Sequence, residues 1–202
     1  RSEKVLVMRV FIIFLLLVFN FQSLSRADDI RNFEIDGITV GDSLLEFYSL
    51  EEIQLELKDA VYYPKSKKMK VVGFMAKESN LYRKYDFHIK DNDKKYIIYS
   101  MKGLVKLEID ECLDQKKMVV NQIESQITNA ERKDYKGDYG EDFGNSLAHI
   151  SDFDLKSGDT IRVWCMEWDS DNENVKANFY WDGLAVNISS KEQIDFIQNE
   201  AY

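Results

Sequence analysis

"YRKYDFHIKDNDKKYIIYSMKGLVKL" (residues 82–107) decides the fold class. Two runs rich in β-branched and aromatic residues, 82–90 and 94–107, flank the polar turn Asp91-Asn92-Asp93. Strands joined by a short polar turn, with no helix between them, read as antiparallel neighbours. Gly103 in the second run marks an expected bulge.

Upstream, "MKVVGFMA" (69–76) reads as another strand, and "AVYYPKSKK", with the only proline, Pro64, reads as a loop. Ser49 followed by Glu52 is a capping box that opens a short helix. "FEIDGITV" (33–40) is two short apolar runs about the tight-turn dipeptide Asp36-Gly37.

Downstream the period changes. From Asp110, which can cap a helix, Cys112, Val119, Val120, Ile123 and Ile127 fall on one helical stripe. "NAERKDYKGDYGEDFGNS" then reads as a long acidic loop with glycines. "AHISDFDL", the turn "KSGD" and "TIRVWCMEW" form an expected hairpin. "VKANFYW" (175–181) alternates like a strand, with Asp182-Gly183 as a two-residue turn into "LAVNIS". Ser190 with Gln193 caps a final helix carrying Ile194, Ile197 and Ala201 on one face. Runs of strands broken by a few helices indicate α+β: a mainly antiparallel sheet of about 5–8 strands, with one long helix and a C-terminal helix packed on it.

Residues 1–27 read as an address rather than as fold. Arg9 precedes the ten apolar residues Val10 to Phe19, and small residues stand at Ser25 and Ala27. This is the pattern of a secretory signal cleaved between Ala27 and Asp28, with residues 1–7 upstream of a start at Met8. Ten residues reach only ~15 Å as a helix, half of a ~30 Å hydrocarbon core, so a membrane span after cleavage is not expected. Residues 28–202 are then a single exported domain, periplasmic or secreted. The formal net charge of -9 argues against nucleic acid, which needs a basic footprint.

Cys112 and Cys165 are the two cysteines. In an oxidising compartment they read most simply as a disulfide, with free thiols or a metal site as rivals. Structural zinc needs four ligands, and His88 and His149 show no metal spacing, so no metal or cofactor is expected.

Gly41-Asp42-Ser43-Leu44 spells the nucleophile signature of the GDSL esterases. Those enzymes pair the serine with an Asp-x-x-His base near the C-terminus. Here Tyr85 and Ser146 stand three residues before the two histidines. The residues fit a strand end at Gly41 and a helix cap at Asp42 or Ser43, so no catalytic residue is assigned. "DSDNEN" (169–174) has the oxygen ligands of a calcium loop's first half but lacks its glycine and terminal glutamate, and reads as a solvated loop. Trp164, Trp168 and Trp181 could stack a ligand, although core packing is the more ordinary use. His149 with Asp152 could form a base pair without a visible nucleophile. Asn187-Ile188-Ser189 fits a glycosylation sequon at a strand end.

"ADDIRNFEIDGITVGDSLLEFYSLEEI", "NDKKYIIYSMKG", the helix near "ECLDQKK" and the end "WDGLAVNISSKEQIDFIQNEAY" resemble a family of small exported proteins of marine alphaproteobacteria. The resemblance implies a periplasmic location and no substrate. The expected function is therefore a binding or envelope-associated domain without catalysis, its partner an unknown small ligand or envelope protein. A structural or stress-related interaction protein and a GDSL-like hydrolase are the alternatives.

Overall fold

The computed structural model describes residues 30–76, 82–127, 129–178 and 180–202. The expected leader and its cleavage point at Ala27 and Asp28 lie outside them, as does Phe179. The strands are β1 (Val61–Tyr62), β2 (Met69–Met75), β3 (Lys84–Lys90), β4 (Ile98–Lys106), β5 (Ala130–Asp138), β6 (Leu147–Leu155), β7 (Thr160–Glu167) and β8 (Gly183–Ser189). The helices are α1 (Leu50–Glu56), α2 (Ile109–Gln126), α3 (Glu173–Ala177) and α4 (Lys191–Phe196), the last continued by a wide turn over Ile197–Ala201.

All strands join one antiparallel sheet in the order β1-β2-β3-β4-β8-β7-β6-β5. The β3–β4 hairpin supplies one half, β5–β6–β7 the other, and β8 closes the seam by pairing with β4 and β7. This is an α+β fold with helices packed on the sheet.

Strand alternation divides the sheet into two faces. One face carries Val72, Phe74, Phe87, Ile89, Met101, Ile188, Val163 and Phe153, all buried. The N-terminal segment covers its β2–β4 end, where Tyr48 stacks on Phe74 with ring centres 4.1 Å apart. The long helix α2 covers the other end, and Cys112 on its first turns is joined to Cys165 of β7, with Cα atoms 5.9 Å apart. The second face is covered at the β1–β3 end, where Phe196 and Ala201 pack with Tyr63 and Met69, and at Gly183 of β8, which the Trp181 ring approaches. Among the described residues no helix is long and apolar enough to cross a membrane.

The local expectations that fail do so for definable reasons. The acidic "loop" after α2 contains β5, nine residues long and exposed along most of its length. It is an edge strand, and its charges deter pairing with another chain, so no apolar alternation marks it. Residues 173–177 form α3 instead of a strand, because Asn172 caps the turn through the N–H groups of Asn174 and Val175. Asp182-Gly183 is not a hairpin turn. Gly183 pairs with Lys106 inside β8, where an added Cβ would lie 2.1 Å from the Val105 carbonyl oxygen. The bulge falls between His88 and Ile89 instead of at Gly103. Gly103 is regular, and it is a glycine because the Tyr82 ring lies 2.5 Å from where a Cβ would stand. Glu108, not Asp110, occupies the N-cap of α2, and Asp110 sits in its first turn.

Candidate functional site

Register across the sheet brings polar residues from distant strands into one line on the open face. Asp86, Lys102, Asn187, Arg162 and Asp152 are successive cross-strand partners from β3 to β6. Their contacts confirm a shared face. Lys102 Nζ lies 2.8 Å from Asp86, which Lys84 also reaches at 3.0 Å. Arg162 donates two hydrogen bonds to Asp152, at 2.6 and 2.8 Å, and a third to the Tyr135 hydroxyl. Burial alone would raise the Asp86 carboxyl, but Lys102 and Lys84 outweigh it and hold the group below the usual range.

A second line runs beside the first through His88, Ser100, Ser189 and Thr160. Ser100 Oγ donates to Asn187 Oδ1 at 3.1 Å, and Asn187 Nδ2 donates to Ser189 Oγ at 2.7 Å. The Asn187 sequon is thus threaded into a central strand and tied to two serines. The third line, on the other side, is Lys84, Leu104, Ala185, Trp164 and Ile150.

The His88 end of this face runs under α4. The Tyr63 hydroxyl lies 2.5 Å from His88 Nδ1, and Gln193 Nε2 of α4 lies 3.0 Å from both. Burial, then the Lys102 charge, pushes the imidazole down to about 4, while burial raises the Tyr63 phenol to about 12. Both groups are neutral at pH 7, so this triad locks the helix to the sheet. It is not an acid–base pair poised for catalysis. Outside the triad, α4, the segment before β2 and the β3–β4 turn enclose a cleft of about 720 Å³ lined by Lys67, Lys68, Lys90, Glu192, Phe196 and Glu200, among others. Two of its lysines are matched by carboxylates: Lys90 pairs with Glu192 at 2.6 Å, and Lys68 with Glu200.

No protein-family model, curated protein or solved structure matches this chain. Chemistry must therefore be read from the side chains alone.

Ser43 is a cap. Its Oγ accepts from the Leu45 N–H at 3.1 Å and donates to the Lys95 carbonyl at 2.6 Å, while Glu46 returns a bond to the Ser43 N–H. The histidines are engaged elsewhere, His88 in the triad above and His149 with Glu167 at 2.9 Å. Asp152 lies on the face opposite His149, as three residues of strand separation require, so the two do not form a pair.

Tyr139 joins two of the tryptophans, its hydroxyl bonded to the Trp164 indole and its ring stacked on Trp168. Trp164 sits on β7, whereas Trp168 is sandwiched between Tyr139 and Tyr180, with ring centres 4.2 and 4.4 Å away. In the 169–174 loop, Asp169 accepts the N–H groups of Asn145 and Asp171 and acts as a turn anchor. No cluster of three His, Cys, Asp or Glu side chains able to hold a metal occurs among the described residues.

Sequence reasoning missed one serine contact. Lys116 of α2 donates to Ser151 Oγ at 2.6 Å, and Ser151 donates on to Asp134. Burial lowers the Lys116 ammonium, the pairing a serine–lysine nucleophile would use. Yet Ser151 is fully enclosed between α2 and the sheet, so no substrate carbonyl reaches it. The contact is a buried polar bridge whose members satisfy one another.

Proposed function

We propose that this chain is an exported, non-enzymatic binding domain of the periplasm, and that the open sheet face is its site. One observation carries this: the Lys102–Asn187–Arg162 line stays half-exposed, with 28% and 46% of the two cationic side chains accessible, on a sheet whose other face is sealed core. An antiparallel sheet needs only one face for its core, which leaves the other free to present fixed polar groups to a ligand. The leader-like residues 9–27 and the Cys112–Cys165 disulfide support export into an oxidising compartment.

The test is to titrate ¹⁵N-labelled protein with a library of organic acids, sugars and amino acids, together with fractionation of the producing cells. Shifts clustered on β4, β8 and β7, with protein released by osmotic shock, are expected. Shifts scattered over the surface, or cytoplasmic retention, would refute the proposal.

A second function, through protein contacts, is favoured by Leu45, Phe47 and Leu50, which are 45%, 37% and 49% exposed in one short segment. Replacing all three by serine abolishes any such association without touching the sheet face, which separates the two functions.

A further inference from the structure

The three lines on the open face differ in chemistry in a way that selects a ligand class. In the middle line, Asp86 is shared by Lys84 and Lys102, two ammonium groups against one carboxylate. Arg162 is balanced by Asp152. With Lys84 of the third line counted, three cations, Lys84, Lys102 and Arg162, face two carboxylates, Asp86 and Asp152, on a protein whose formal net charge is -9. Lys102 and Arg162 stand two strands apart, roughly 9.6 Å between backbones, with Asn187 between them. Asn187 is held in place by Ser100 and Ser189, and its amide nitrogen carries a second hydrogen. Asp86 and Asp152 close both ends and repel any second negative charge. Beside this strip, Trp164 and Ile150 are half-exposed above a floor of Leu104 and Ala185.

We propose that the open face binds a small amphipathic monocarboxylic acid, its carboxylate between Lys102 Nζ and the Arg162 guanidinium above the Asn187 amide, its apolar body against Trp164 and Ile150. This rests on the open face being a binding site, and it adds the charge and shape of what binds there. One excess cation matches one carboxylate, and a planar guanidinium suits the planar carboxylate. A dianion would meet the two flanking aspartates, and an uncharged sugar would bring no counter-charge to Lys102 and Arg162.

The experiment titrates the purified protein with octanoate, octanamide and octyl phosphate while following the Trp164 indole and Asn187 side-chain amide resonances. Octanoate is expected to bind about tenfold or more tightly than either of the others. Lys102→Met, Arg162→Met and Asn187→Asp should each lose about tenfold in octanoate affinity, and Lys102→Arg should retain it. Amide dispersion of each variant reports folding, and the Lys102→Arg and Asn187→Asp pair decides the matter if a methionine variant is unfolded. Equal binding of octanamide or tighter binding of octyl phosphate would overturn the carboxylate assignment while leaving the open face a binding site. Silence of these resonances to all three probes and to the wider library would overturn both.

Discussion

The Ser43 hydroxyl donates to the Lys95 carbonyl, 52 residues away, at 2.6 Å, while its oxygen caps the turn that follows. One side chain thus joins the N-terminal segment to the approach of β4, next to the Ser43–Ile97 bridge. Ser43→Ala removes both the cap and the tie, and a loss of about 1–2 kcal/mol in urea unfolding is expected. Fluorophosphonate labelling should be absent in both wild type and variant; labelling that disappears in Ser43→Ala would restore the esterase.

The disulfide links positions 53 apart, and both cysteines are fully buried. On the chain-entropy account, its loss costs about 4 kcal/mol, mostly through the unfolded state. Dithiothreitol alone should leave the bond intact at neutral pH, whereas dithiothreitol with urea should cleave it and lower the unfolding midpoint. Rapid reduction of the native protein would mean that α2 opens away from β7 far more readily than the packing implies.

Some caps and hairpins were legible in the sequence because they are local, while the Asp110 cap and the Asp182-Gly183 turn were not. Ser49 with Glu52 and Ser190 with Gln193 lie within one turn of each other and form the expected caps, and of the two residues offered for the first turn, Asp42 and Ser43, it is Ser43 that caps it, with Glu46 completing the box. β5 was not legible, since an exposed edge strand such as "AERKDYKGD" has no buried side to impose a period. α3 was misread because Val175 and Ala177 alternate while the decisive cap, Asn172, stands outside the pattern. The candidate site was invisible for a different reason. Lys102, Asn187 and Arg162 come together only when β8, last in sequence, inserts between β4 and β7.

Gly103 tests a close approach that the sequence suggested only as a bulge. A methyl group there would meet Tyr82 Cε1 at 2.5 Å and Ile35 Cγ2 at 2.9 Å. Gly103→Ala should therefore destabilise by overpacking, by about 1–3 kcal/mol. Combined with Tyr82→Leu, it should cost less than the sum of the two single changes, because the smaller side chain vacates the clash. Strict additivity in a double-mutant cycle would show that Tyr82 is not what excludes a side chain at Gly103.

His88 makes the sharpest prediction, because its imidazole is pushed down to about 4 by burial and by Lys102, while Asp86 pulls the other way. An unfolded histidine titrates near 6.5. Between pH 6.5 and 4 the unfolded chain therefore binds a proton that the folded chain refuses, and stability falls as the pH is lowered through that window. The full contribution is present above about pH 6.5. The loss reaches about 3 kcal/mol near pH 4, ahead of the carboxylates Asp86, Asp91 and Asp134, whose lowered values act from the ordinary carboxylate range downward. The first segment to loosen should be α4, since a protonated His88 can no longer accept from Tyr63 and faces the Gln193 amide donor. Urea unfolding at several pH values, with hydrogen exchange of residues 191–201, measures both effects. His88→Gln is expected to flatten the slope between pH 6.5 and 4 whatever its absolute stability. An unchanged slope in that variant, or a His88 resonance titrating near 6.5, would remove His88 as the acid-sensitive element.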